Sequence, residues 1–126
     1  MRTHHVAFRT HDLTRLRAFF QELLGLVPVR EQAGYSVWLA LGDAVLMLER
    51  AGADEPAPDP SSRELLALAV EPSRRAALVE RLRAGGVPIE EETEYTSYFR
   101  DPDGRRIALS SYSLPELEPA EEPAAG

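Results

Sequence analysis

Apolar and polar residues alternate with a period of two through Thr3 to Thr10. Val6 and Phe8 fall on one side and His5, Ala7 and Arg9 on the other, the pattern of a half-buried strand. The period then changes. Leu13, Leu16, Phe19, Phe20, Leu23 and Leu24 recur at helical spacing, with Asp12 as the N-cap and Gly25 as the stop. Val27 to Glu31 is a second strand, near an edge because of Pro28, and Tyr35 to Leu41 and Ala44 to Glu49 form a hairpin about Gly42-Asp43.

The pattern then repeats. Gly25-Leu26-Val27-Pro28-Val29-Arg30-Glu31 returns sixty positions later as Gly85-Gly86-Val87-Pro88-Ile89-Glu90-Glu91. The same shift pairs Tyr35 with Tyr95, Trp38 with Tyr98 and Leu39 with Phe99. The chain is therefore a duplicated unit of strand, helix and three strands. In the second copy the plan predicts a strand at Leu65 to Val70, a helix from Ser73 to Ala84, a strand at Val87 to Glu91 and a hairpin of Tyr95 to Arg100 with Arg106 to Ser111. Its turn is Asp101-Pro102-Asp103-Gly104, where Pro fixes φ and Gly accepts a positive one. The fold class is α+β: two βαβββ modules forming a curved mixed sheet around a cavity. Residues 1–113 make one domain, with modules at 3–50 and 63–113, a Pro-rich linker at 51–62 and an acidic, disordered tail at 114–126.

Alternation divides each sheet into two faces. Val6, Phe8, Val37, Leu39, Leu41, Leu46 and Leu48, with Leu66, Leu68, Val70, Phe99, Ile107 and Leu109 in the second copy, belong beneath the helices. The opposite face carries His5, Arg9, Trp38, Met47 and Glu49 from the first unit and Leu65, Tyr98, Arg100 and Ala108 from the second. Small residues among aromatic and charged ones suit a concave binding wall.

Three segments carry a family resemblance: His4-His5-Val6-Ala7-Phe8 leading to His11-Asp12-Leu13, the helix end Phe19-Phe20-Gln21-Glu22-Leu23-Leu24-Gly25-Leu26, and Tyr98-Phe99-Arg100-Asp101-Pro102-Asp103-Gly104. In this order, over residues 3–112, the chain resembles the vicinal oxygen chelate superfamily, which includes glyoxalase I, bleomycin-resistance proteins, fosfomycin-resistance transferases and extradiol dioxygenases. In metal-dependent members, the resemblance implies, the ligands sit on the first and last strands of each unit. Carried over by position, those are His5, Met47, Leu65 and Ala108. One imidazole among a thioether and two hydrocarbons lacks the donors a divalent ion needs. The expectation is therefore no metal and no cofactor.

What remains is a metal-independent small-molecule-binding protein of the bleomycin-resistance type. The alternative is a lyase, isomerase or dioxygenase with a divalent metal at a degenerate site built on His5 and Glu49. Candidate ligand-binding residues are His5, Arg9, Trp38, Met47, Glu49, Tyr98 and Arg100, and five of them have a plainer reading open beside this one. His5 is a hydrogen-bonded wall histidine or a ligand contact, and Trp38 and Tyr98 pack on protein or stack on a ligand. Arg9 and Arg100 are surface charges or a clamp for a carboxylate or phosphonate. Relatives of this size commonly pair their modules across a homodimer, and a homodimer is the expectation here, although the linker permits pairing within or between chains.

Composition narrows the chemistry. The 126 residues contain no Cys, which removes disulfides and thiolate chemistry and favours a reducing, cytoplasmic setting. All 14 basic residues are Arg, which removes Schiff-base and P-loop lysine chemistry. The net charge of -7 and the absence of a long apolar run argue against nucleic acid and membrane. That charge is local, with -3 in the linker (Asp54, Glu55, Asp59) and -4 in the tail (Glu116, Glu118, Glu121, Glu122). Neutral modules leave an anionic ligand open. The Glu90 to Glu94 acids read as a solvated edge, and the arginines of the second helix as its solvent face.

Overall fold

A computed structural model describes residues 1–114. Apart from Leu114, the predicted acidic tail lies outside the described residues. The first module runs β1 (His5–Thr10), α1 (Leu13–Arg17), a π-helical turn (Ala18–Leu23), β2 (Pro28–Gln32), β3 (Ser36–Leu41) and β4 (Ala44–Arg50). The second runs β5 (Leu65–Ala69), α2 (Pro72–Ala84), β6 (Glu91–Glu92), β7 (Thr96–Arg100) and β8 (Arg106–Ser110). Each sheet is mixed, in the orders β1-β4-β3-β2 and β5-β8-β7-β6, with the first strand parallel to the last and the rest antiparallel. The duplication is thus structural as well as sequential.

Asp12 caps α1 by accepting the Arg15 amide at 3.1 Å. The predicted single α-helix instead widens at Ala18, where the Leu24 amide reaches back five residues to the Phe19 carbonyl at 3.2 Å. The widened turn buries two consecutive aromatics that serve different sheets. Phe20 meets Phe8 of β1 with ring centres 6.0 Å apart, and Phe19 meets Phe99 of β7 at 6.1 Å. The second helix starts at Pro72, whose missing N–H costs nothing in a first turn. The strand predicted from Val87 to Glu91 shrinks to Glu91–Glu92. Pro88 donates nothing to a ladder, and the Val87 amide bonds back to Leu82.

One hydrophobic cluster joins the two modules. Leu16, Phe19, Phe20 and Leu24 of the first helical segment, Leu78 and Leu82 of α2, and the inner residues of both sheets are buried together, with Val6, Phe8, Leu66 and Leu68 packed at its margin. The helix-facing sides of both sheets therefore address a common core. Their other sides, which carry the candidate site residues, face outward from it.

The linker is held against the modules. Glu55 accepts two bonds from the Arg9 Nε (3.2 and 3.1 Å) and one from the Gly52 amide at 3.1 Å, and its carbonyl lies 2.7 Å from His11 Nε2. The Ser62 carbonyl accepts from Arg100 at 2.8 Å. Glu55, assigned from sequence to a segment outside both units, is thus the partner of a β1 arginine. The Arg9 guanidinium holds the Glu55 carboxyl down at about 2. A lowered carboxylate contributes stability above its unfolded value and loses it as pH falls through the folded one. The 13C titration of the Glu55 carboxyl should accordingly have its midpoint near pH 2 and move up toward the ordinary range in Arg9→Ala; an ordinary midpoint in the unmodified chain would refute the clasp.

Candidate functional site

Strand register sets the site residues out in rows. On the outer face of the first sheet Arg30, Trp38, Met47 and Ala7 stand side by side across β2, β3, β4 and β1. Two positions along lie Gln32, Ser36, Glu49 and Arg9, and on the other side Ala40, Val45 and His5. On the second sheet Glu91, Tyr98, Ala108 and Ala67 form the matching central row, flanked by Arg100, Arg106 and Leu65. The pairing of Trp38 with Tyr98 expected from the repeat thus becomes an equivalence of place, each at the centre of its own sheet face.

Each central aromatic carries an arginine. The Arg30 guanidinium lies 4.8 Å from the centre of the Trp38 ring, and that of Arg106 lies 4.1 Å from the centre of Tyr98. Arg106 is buried, and its guanidinium also meets Glu91 at 2.9 Å and Glu90 at 3.3 Å. Glu90 takes two bonds from Arg100 as well, at 2.8 and 3.2 Å, and this arginine depresses its carboxyl below the usual range. Arg100 further donates to the carbonyls of Ser62 and Gly104. On the first face Arg9 is occupied by Glu55 and lies 3.8 Å from Glu49. Both candidate anion clamps thus already have carboxylate partners inside the protein.

His5 is exposed, and its Nδ1 lies 2.9 Å from that of His4, with the rings edge to face. His4 immediately precedes β1, and its carbonyl accepts the Val45 amide of β4 at 3.2 Å. Arg30, Arg106, Glu55 and Glu90 are the contributors that sequence reasoning missed. Alternation with Ala108 and Ser110 could have found Arg106. Arg30 needed the β2–β3 register, and Glu55 carried no periodic signal.

The donor set does not fit a divalent metal. The four positions that the family resemblance points to hold His5, Met47, Leu65 and Ala108, and among the described residues no three His, Asp or Glu side chains come together as a ligand cluster. Glu49 does not repair this within one sheet. It stands opposite Arg9 whereas His5 stands opposite Val45, four residues along the ladder and so ~13 Å away.

Exposure of the outer faces is uneven. Ala7, Leu65 and Ala67 are open to solvent, while Trp38, Met47, Glu49 and Tyr98 are half-buried and Ala108 is buried. A separate cleft of about 560 Å³ lies where β1, β5 and the linker meet, bounded by Val6, Phe8, Leu65, Leu66, Arg105 and Arg106. No helix among the described residues is long and apolar enough to cross a membrane.

Comparison with solved structures finds the same fold. A glyoxalase/dioxygenase from Nostoc punctiforme is 22% identical with a TM-score of 0.75, covering 86% of this chain and 88% of that one. The fosfomycin resistance protein FosX from Mesorhizobium loti is 19% identical with a TM-score of 0.71, over 87% and 90% of the two chains. A lactoylglutathione lyase from Agrobacterium tumefaciens is 20% identical with a TM-score of 0.64, over 86% and 91%. A search of the curated proteins finds no match. The family model for the Glyoxalase/Bleomycin resistance protein/Dioxygenase superfamily matches residues 2–109, both repeats and the linker between them, and with the duplicated βαβββ topology in view the chain belongs to that superfamily.

Proposed function

We propose that this chain is a metal-independent small-molecule-binding protein that works as a homodimer in the cytoplasm. The Trp38 face of one copy would meet the Tyr98 face of its partner and close over a ligand. The observation that carries the reading is the donor set: His5, Met47, Leu65 and Ala108 stand where metal-dependent relatives need ligands. Two aromatic rings, each backed by an arginine, supply stacking surface instead. Sequestration requires nothing more than shape, stacking and exclusion of water. His5, Arg9, Met47, Glu49 and Arg100 would form the wall around the rings, with the arginines held in place by Glu55 and Glu90. The exposed Ala7, Leu65 and Ala67 support the dimer, because a closed site needs these faces covered.

The test is a titration of Trp38, the single tryptophan, with a panel of planar aromatic compounds, using protein purified without chelator. Saturable quenching by a panel member, lost in Tyr98→Ala as well as in the absence of dimer, is expected, with a native mass of twice 14.0 kDa and no stoichiometric metal. About one Mn, Fe, Ni or Zn per chain, or a monomer that binds equally well, would overturn it.

A further inference from the structure

The internal two-fold repeat creates two similar junctions between the modules, where the hairpin tip of one approaches the first strand of the other. They are filled differently. At one, the long turn after β7 brings Arg105 over Phe8, with its guanidinium 4.5 Å from the ring centre, bonded to Asp101 and Asp103 and to the Arg9 carbonyl. At the other, the residue equivalent to Phe8 is Leu68, sixty positions on, and the hairpin tip is the short Gly42-Asp43 turn. That turn has no side chain long enough to cover Leu68. A cleft of about 250 Å³ remains, walled by Leu26, Leu41, Leu68, Val70 and Leu78 among others.

The lining holds one charged side chain, Arg74, and no carboxylate. Arg74 belongs to the first turn of α2 and makes no ion pair among the described residues. Its guanidinium rests against Gly25, where an added Cβ would lie 3.2 Å from Nη2, so the missing side chain at Gly25 leaves the arginine its place at the rim. An apolar cleft with a single unpaired cation at its mouth is complementary to an aliphatic chain ending in one carboxylate. The volume equals that of about eight water molecules at ~30 Å³ each, which limits the chain to a short one.

We infer that this inter-module cleft is a second ligand site, separate from the outer sheet faces, and that it takes a short-chain aliphatic monocarboxylate with its carboxylate on Arg74. Amide shifts of the 15N-labelled full chain on titration with sodium hexanoate test it, with hexanol as the uncharged control. Hexanoate should give saturable shifts at Gly25, Gly42, Leu68 and Val70. Arg74→Ala, a change at an exposed position, should weaken hexanoate at least tenfold and leave the weaker hexanol response unaltered. Equal hexanoate affinity in Arg74→Ala, shifts confined to the surroundings of Trp38 and Tyr98, or no saturable shift at the cleft would each overturn the assignment.

Discussion

Phe99→Ala should lower stability by about 3–5 kcal/mol and still unfold the chain in a single transition. Phe99 is fully buried on β7, and its ring faces Phe19 of the first module. Truncation therefore opens a cavity that two modules share, and neither can close it without moving the other. For a domain of this size the expected fall in Tm is on the order of 15 °C. Chemical denaturation followed in parallel by Trp38 fluorescence and by far-UV circular dichroism checks the point, because Trp38 lies in the module that was not mutated. If the Trp38 signal keeps its original midpoint while the rest of the structure melts early, the modules have separate cores and the common cluster is wrong.

Asp101→Ala should cost about 3 kcal/mol, nearly as much as the aromatic, although only a carboxylate is lost. The Asp101 side chain is fully buried and accepts from the Asp103 amide at 2.9 Å, the Arg105 amide at 3.0 Å and the Arg105 guanidinium at 3.0 Å. Burial pushes its carboxyl up from the ordinary value even with Arg105 beside it, a sign of how dry the position is. Alanine would leave two backbone donors unanswered and would loosen Arg105, which crosses to Phe8 and to the Arg9 carbonyl. Asp101→Asn keeps one acceptor oxygen and should lose about half as much. Urea unfolding of the two variants separates the contributions. Equal stability of the alanine variant and the unmodified chain would show that the turn is not what locks the second module onto the first.

Much of the fold is legible in the amino-acid sequence. The period-two runs gave the inner residues of both sheets, since side chains on a strand must alternate and only one side can be buried. The shift that equates Gly25 with Gly85 gave the duplication, and Asp12 and Gly25 marked the ends of the first helical segment by their cap chemistry. The exceptions have local causes. The widened turn at Ala18–Leu23 carries Phe19 and Phe20 to different sheets, and the Val87 amide bonds back to Leu82 instead of joining the ladder. Neither is a periodic signal.

The candidate site was legible in part. Trp38, Met47 and Tyr98 follow from alternation alone, whereas the choice of His5, Met47, Leu65 and Ala108 as the positions to test for metal donors is what the family resemblance implies, and residue type then fixes their donor chemistry. Arg9 and Arg100 were readable as cations on the outer faces but not as cations already joined to Glu55 and Glu90. Those acids lie 46 and 10 residues away in the chain, and no spacing rule connects them.

The sequence by itself determined the two βαβββ modules, the inner face of their strands and the absence of any cysteine or lysine. These are properties of local periodicity and of residue chemistry. Only the tertiary structure decided that the helix-facing sides of both sheets share one core, that the linker charge of Glu55 serves Arg9, and that one module junction is filled by Arg105 while the other stays open beside Arg74. Such outcomes depend on which distant segments meet. They are set by packing of the whole chain, where a difference of a few turn residues decides whether a side chain fills a cleft or leaves it for a ligand.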